Sequence, residues 1–251
     1  MVEKVAIPTR RSTGHVGLIF SDGFTLARFP QGEGMPRLGF VFTTLVRGNT
    51  SPKYSDDARL NRQIAIIEAG LESYRIVRMV PIPRAEDLKR LITIARVGER
   101  VGEDDSVDCD GLMTDQLGVV IELRPADCHQ ILLDAGCAFA LLHGGKTELR
   151  RNVVEIGVLA LCETFGVMPE QIALIDGPGI GPCCYKEQDK FSIDLRAMIE
   201  EQARGIGISN ILFATNCTCC SRDPRDEKTR IFPSHWRQPG IRFSAFAGPL
   251  L

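Results

Sequence analysis

The sequence predicts an α+β fold, and three observations carry that expectation. Apolar runs of strand length recur between turn residues, hairpin patterns join some of them directly, and helical periodicities fall between others without strict strand–helix alternation. With 44% hydrophobic and 25% charged residues the chain has the composition of a core-forming globular protein, and 251 residues suffice for a single large domain.

Along the chain, residues 15–20 and 24–29 flank Ser21-Asp22-Gly23 and predict a hairpin with an Asp-Gly turn. A Gly/Pro-rich stretch at 29–39 follows, so residues 1–38 read as an N-terminal hairpin appendage and loop, and residues 39–251 as the main domain. Residues 39–46 read as a strand. Asp56 is placed to cap a helix running through Leu60, Ile64 and Ile67, with Gly70 near its end. Residues 74–80 predict a strand, and Leu88, Leu91, Ile92 and Ala95 give helical spacing over 85–95. Strand-like runs follow at 117–123, 129–134 and 137–142. A helix from Lys146 to Phe165 would turn Val153, Ile156, Leu159 and Ala160 to one face and stop at Gly166. Residues 171–176, 211–215 and 241–246 read as strands, 177–184 as a loop and 192–204 as a helix.

Charge and cysteine content narrow the function. Thirty basic against 32 acidic side chains leave a net charge of −2, which gives nucleic acid no broad electrostatic reason to bind. No run approaches the ~18 apolar residues of a membrane span, and the start lacks a signal peptide's apolar segment, so a cytoplasmic protein acting on a small molecule is expected. Nine cysteines without secretory context point to free thiols, metal ligands or a nucleophile rather than a disulfide framework.

The chemistry concentrates in residues 128–143. A turn centred on Ala135-Gly136 would pair Asp134 with Cys137 and Leu133 with Ala138, which sets Cys128 opposite His143. Opposed side chains lie on one side of the pair, close enough to bind one metal or each other, unless a bulge breaks the register. Gly144-Gly145 then opens a helix whose first amides favour an anion, and Lys146, Arg150 and Arg151 can add positive charge for a phosphate or carboxylate; a solvated basic face is the plainer alternative. Equally plain is a buried Cys128 beside a hydrogen-bonded His143.

Ordered motifs add a resemblance. From about Gly39 to Pro249 the sequence resembles the YfiH-like laccase-domain family, also called polyphenol oxidase or multicopper-oxidase-like, whose members act as purine nucleoside phosphorylases. Phe42-Thr43-Thr44 and Asp56-Asp57 with Asn61-Arg62 resemble its N-terminal signature, and Asp110 to Thr114 its Asp-Ala-Leu-Val-Thr. Ala126-Asp127-Cys128 matches its alanine–aspartate–cysteine motif, and His143-Gly144-Gly145 stands at its His-Ala-Gly-Trp-Arg-Gly. Gly177-Pro178 through Cys183-Cys184-Tyr185 resembles its Gly-Pro loop, and Cys217-Thr218 and Ser234-His235-Trp236-Arg237 its terminal motifs. The resemblance implies an α/β/β/α sandwich with mixed and antiparallel sheets. It also implies a pocket where one Cys and two His bind zinc, two of them mapping onto Cys128 and His143, with copper the lesser expectation. Its chemistry would be phosphorolysis of purine nucleosides and hydrolytic deamination of adenosine, with nucleoside and phosphate as partners.

Two departures matter. Where the family has Gln-Val-His-Gly, Arg78 to Arg84 contains no His, so the third ligand is missing and an impaired centre is expected. His129 alternates away from Cys128; His15 and His235 have no positional support. Lys146-Thr147 replaces the family's Trp-Arg, leaving Arg150 or Arg151 as replacements. Two other readings therefore stand beside the phosphorylase: metal-free chemistry in which His143 deprotonates Cys128 for attack on an acyl carbon, and a non-catalytic member acting in binding.

Three further patterns fail or weaken. His143 to Thr147 resembles the end of a P-loop, but Ala140 stands where that motif needs Gly. Ser106 to Leu117 lacks a calcium loop's acidic ends. Cys183-Cys184 with Cys217, Cys219 and Cys220 suggests structural zinc or iron–sulfur, but adjacent cysteines are awkward co-ligands and the spacing is unusual, so buried thiols are expected; no second ligand set supports a multicopper centre.

Overall fold

The computed structural model describes residues 14–16, 19–21, 24–28, 38–44, 48–50, 55–82, 91–98, 105–187, 191–223 and 226–249. Its strands begin with β1 (Gly14–Val16), β2 (Ile19–Ser21), β3 (Phe24–Arg28), β4 (Leu38–Thr43), β5 (Arg75–Val80) and β6 (Ile94–Arg96). The middle of the chain gives β7 (Ser106–Asp108), β8 (Gly111–Thr114), β9 (Val119–Leu123), β10 (His129–Asp134), β11 (Phe139–Gly144) and β12 (Ala173–Asp176). The last are β13 (Lys186–Glu187), β14 (Phe191–Ser192), β15 (Asn210–Ala214), β16 (Arg222–Asp223), β17 (Asp226–Arg230) and β18 (Ala245–Pro249). Four α-helices accompany them: α1 (Ala58–Glu68), α2 (Lys146–Leu149), α3 (Val153–Phe165) and α4 (Leu195–Gly205).

Two mixed seven-stranded sheets form, ordered β1-β15-β12-β10-β11-β8-β6 and β2-β3-β4-β18-β9-β5-β7. Alternation along each strand sorts its side chains into two layers. Phe40 and Phe42 of β4, Ile121 of β9, Leu132 of β10 and Leu141 of β11 meet between the sheets. On the outer face of the first sheet, Ile131, Leu133 and Leu142 pack under Val154, Val158 and Ile199 of α3 and α4. On the outer face of the second, Val41, Val120 and Phe246 pack under Ala65 and Ile66 of α1. The result is the α/β/β/α sandwich, α+β in class, with each fully buried Leu or Phe contributing about 1.5–3 kcal/mol. Among the described residues no helix is long and apolar enough to cross a membrane.

Several local expectations change. The first helix has Asp57, not Asp56, at its N-cap, and no side-chain cap bond. It buries Ala58, Ala65 and Ile66 and leaves Leu60 and Ile67 exposed, because Arg62 turns inward to an ion pair with buried Glu122 at 2.8 Å. The helix expected from Lys146 to Phe165 is broken into α2 and α3, since Asn152 adopts a left-handed φ of 58°. Its buried face carries Val153, Val154, Val158 and Leu161, while Leu159 is exposed. Ile94–Arg96 is a strand beside β8 rather than a helix end, and residues 85–90 of that expected helix lie outside the described residues. The last strand starts at Ala245, so residues 241–244 are not part of it. At the N-terminus, Ser21 pairs with Phe24 as a two-residue hairpin requires, β3 continues onto β4, and β1 lies parallel to β15.

Candidate functional site

The β10–β11 hairpin has a different register from the one expected. Asp134 pairs with Phe139 and Gln130 with His143, so the turn takes four residues rather than two. Asp134 causes this: its Oδ1 accepts the Gly136 amide at 2.8 Å, and Gly136 takes a left-handed φ of 77°. Extending the ladder one pair sets Gly145, not His143, opposite Cys128. The slip moves every partner by two residues, which preserves the face, so Cys128 and His143 become diagonal neighbours on one side.

Their side chains do meet. Cys128 and His143 hydrogen-bond, and both are partly exposed, with His143 at 15%. A Cβ placed on Gly145 would lie 2.3 Å from Glu148 Oε2, 3.2 Å from His143 Cε1 and 3.4 Å from Cys128 Sγ. Thiol, imidazole and carboxylate thus share the space that the missing Gly145 side chain leaves. Glu148 Oε2 stands 3.8 Å from His143 Nδ1, a buried atom with no hydrogen-bond partner in the structure. Burial opposes a charge on this imidazole. The charge and hydrogen bond of Cys128, with the charges of Glu148 and Asp110, outweigh it and raise the His143 pKa to about 9.

The region expected to hold an external anion differs as well. The segment that Gly145 opens is the four-residue α2, and the negative charge beside His143 is the chain's own Glu148. Lys146 lies half-buried in that turn; Arg150 and Arg151 follow it, one exposed and one half-buried. Glu148 was missed in the sequence because the three cations around it drew the reading toward phosphate; an acidic residue in the first turn after His-Gly-Gly was the available signal.

The neighbouring motifs brace Cys128. Asp127 Oδ1 accepts the Thr218 hydroxyl at 2.7 Å and its Oδ2 accepts the Trp236 amide at 2.7 Å. Arg237 donates to the Thr218, Cys219 and Phe232 carbonyls, and Tyr185 stacks edge-on with Trp236. His129 points to the opposite face, as alternation requires, and its Nδ1 donates to buried Asp176 at 2.8 Å. His235 is exposed, and the His15 side chain lies outside the described residues. Pro81 and Ile82, which follow β5, offer no ligand atom. The described residues therefore supply Cys128 and His143 but no third protein ligand, and they do not fit a zinc held by one Cys and two His.

Among the described residues, the one set of three or more His, Cys, Asp or Glu side chains whose ligand atoms all lie within 4.8 Å of one another is Cys183, Cys184, Cys217 and Cys220. Such a set can hold a metal ion. Only Cys217 is buried and Cys183 is exposed, contrary to the expectation of buried thiols. Burial and neighbouring thiols push Cys220 up to about 11 and raise Cys184 as well; at Cys217 burial acts the same way, but backbone amides of Gly181, Cys219 and Cys220 outweigh it and lower the pKa.

Comparison with known proteins agrees with this architecture. Residues 88–190 match the family described as multi-copper polyphenol oxidoreductase laccase. Over 169 residues the chain is 28% identical to purine nucleoside phosphorylase YlmD of Geobacillus stearothermophilus, covering 55% of this chain and 59% of that protein. It is 32% identical over 89 residues to human purine nucleoside phosphorylase LACC1, covering 34% of this chain and 20% of that one. The sequence match thus spans under two thirds of either relative. The crystal structure of Neisseria meningitidis protein NMB0706 superposes with a TM-score of 0.69 at 20% identity, over 90% of this chain and 98% of that one, which shows the fold. Its ordered motifs, its matched region and its sandwich architecture make the chain similar to the YfiH-like laccase-domain family.

Proposed function

We propose that the chain is a purine nucleoside phosphorylase with Cys128 and His143 at its catalytic centre and Glu148 as the carboxylate that orients the imidazole. The observation that carries this is the convergence of Cys128, His143 and Glu148 on the vacant side of Gly145. An imidazole that keeps its proton up to about pH 9 is a general acid at neutral pH. In phosphorolysis, phosphate attacks C1′, the bond to the purine breaks, and His143 donates its proton to the departing base. Lys146, Arg150 and Arg151 are the cations near enough in sequence to neutralise the phosphate. Deamination of adenosine belongs to the same proposal as a second activity.

A second reading is favoured by the same cluster and by the missing third ligand: a metal-free hydrolase. Cys128 would attack an acyl carbon as thiolate, His143 would protonate the leaving group, and water would release the acyl enzyme. The deciding experiment incubates the protein with inosine and adenosine, with and without phosphate, and follows free base, ribose phosphate and deaminated product. Phosphate-dependent release of base, reduced ~10³-fold or more in Cys128→Ser, is expected. Turnover equal to that of the variant overturns the phosphorylase. Acyl-ester hydrolysis with a trapped thioester would install the second reading.

A further inference from the structure

Four thiols outside the site above are gathered from two loops distant in sequence. We propose that Cys183, Cys184, Cys217 and Cys220 form a tetrathiolate zinc site that fastens the loops framing Cys128. Zinc binds thiolates at about 2.3 Å, which sets tetrahedral sulfurs ~3.8 Å apart. The Cys183 and Cys220 sulfurs lie 3.6 Å apart, and all four fall within 4.8 Å, so small side-chain adjustments complete the tetrahedron.

Sequence spacing argued against adjacent co-ligands, and the backbone explains how they work here. Cys184 and Tyr185 both donate their amides to the Gly181 carbonyl at 3.0 Å, a tight turn that brings both Cys183 and Cys184 to the cluster. Gly179 bridges to Cys217, which delivers the second loop. The Gly181 amide donates to Cys217 Sγ at 3.2 Å, the kind of outer hydrogen bond that supports a metal-bound thiolate. Zinc with four thiolates carries a net charge of −2. Arg237 Nη1 donates to the Cys219 carbonyl at 2.5 Å and Arg230 Nη1 to that of Cys220, which brings two guanidinium groups to the same turn. Binding converts Zn²⁺ and four thiols into the zinc tetrathiolate and four protons. Four protein ligands leave no open position, so the site is structural rather than catalytic. Its effect on the chemistry is indirect: Thr218, between Cys217 and Cys219, holds the aspartate next to Cys128.

Metal analysis and thiol mapping of the chain test this, separately from any activity. About one zinc per chain is expected, retained in Cys128→Ser and lost in Cys183→Ser and in Cys220→Ser. Cobalt in its place is expected to show the visible bands of tetrahedral thiolate coordination. If the variants fail to fold, alkylation of the native protein decides. Zinc should slow modification of the four clustered cysteines at least ~10-fold and leave Cys128 reactive. Zinc lost in Cys128→Ser but kept in Cys220→Ser, a disulfide between Cys183 and Cys220 in freshly isolated protein, or equal alkylation with and without zinc would each overturn the proposal.

Discussion

Cys128 stands alone among an imidazole and a carboxylate at the ends of paired strands, whereas Cys183, Cys184, Cys217 and Cys220 crowd together on turns. The two regions adjoin, since Cys217 leads directly to Thr218, whose hydroxyl holds Asp127, which leads directly to Cys128. What differs is the company each sulfur keeps. One thiol facing an imidazole is set up for proton transfer, while thiols facing thiols need a shared cation before all can ionise. The same element thus serves reaction in one place and construction in the other.

Three substitutions test this contrast beyond those above. Gly145→Ala should have the largest effect: its Cβ would strike the Glu148 carboxylate, separate the three groups, and reduce turnover and Cys128 alkylation ~100-fold while zinc content stays constant. Unchanged alkylation would remove Gly145 from the site. Glu148→Gln should act less, by ~10-fold, and through proton affinity. Glu148 stabilises the imidazolium, so its loss lets burial pull the His143 midpoint from about 9 toward lower pH, and activity that needs the protonated ring should begin to fall at correspondingly lower pH. Proton NMR titration of the His143 ring reads this directly; an unmoved midpoint would deny the carboxylate its role. Thr218→Val should have the smallest effect, a several-fold loss of turnover with zinc retained, in line with about 1 kcal/mol for one hydrogen bond. Loss of zinc in that variant would merge the two regions into one cooperative unit.

Most of the architecture was legible because alternation and turn chemistry are local. The slipped hairpin is instructive. Asp134 capturing the Gly136 amide lengthened the turn, yet a shift of two residues could not change the face, so the meeting of Cys128 with His143 survived a wrong register. The same parity put His129 on the far side, against Asp176. The helix errors were tertiary. Arg62 turns inward only because buried Glu122 is there to receive it, which periodicity alone does not reveal. The break at Asn152 depends on a single backbone conformation. The four-cysteine cluster was least accessible, since it needs the bridge between Gly179 and Cys217, a contact across β13, β14, α4 and β15.

The two oxygens of Asp127 reach 91 residues forward to Thr218 and 109 residues forward to Trp236. During synthesis, then, the strand that Cys128 leads into emerges long before the partners that set the cysteine's position exist. A nascent or truncated chain lacking Trp236 would carry an unaligned sulfur, and competence would arrive only once that residue is in place.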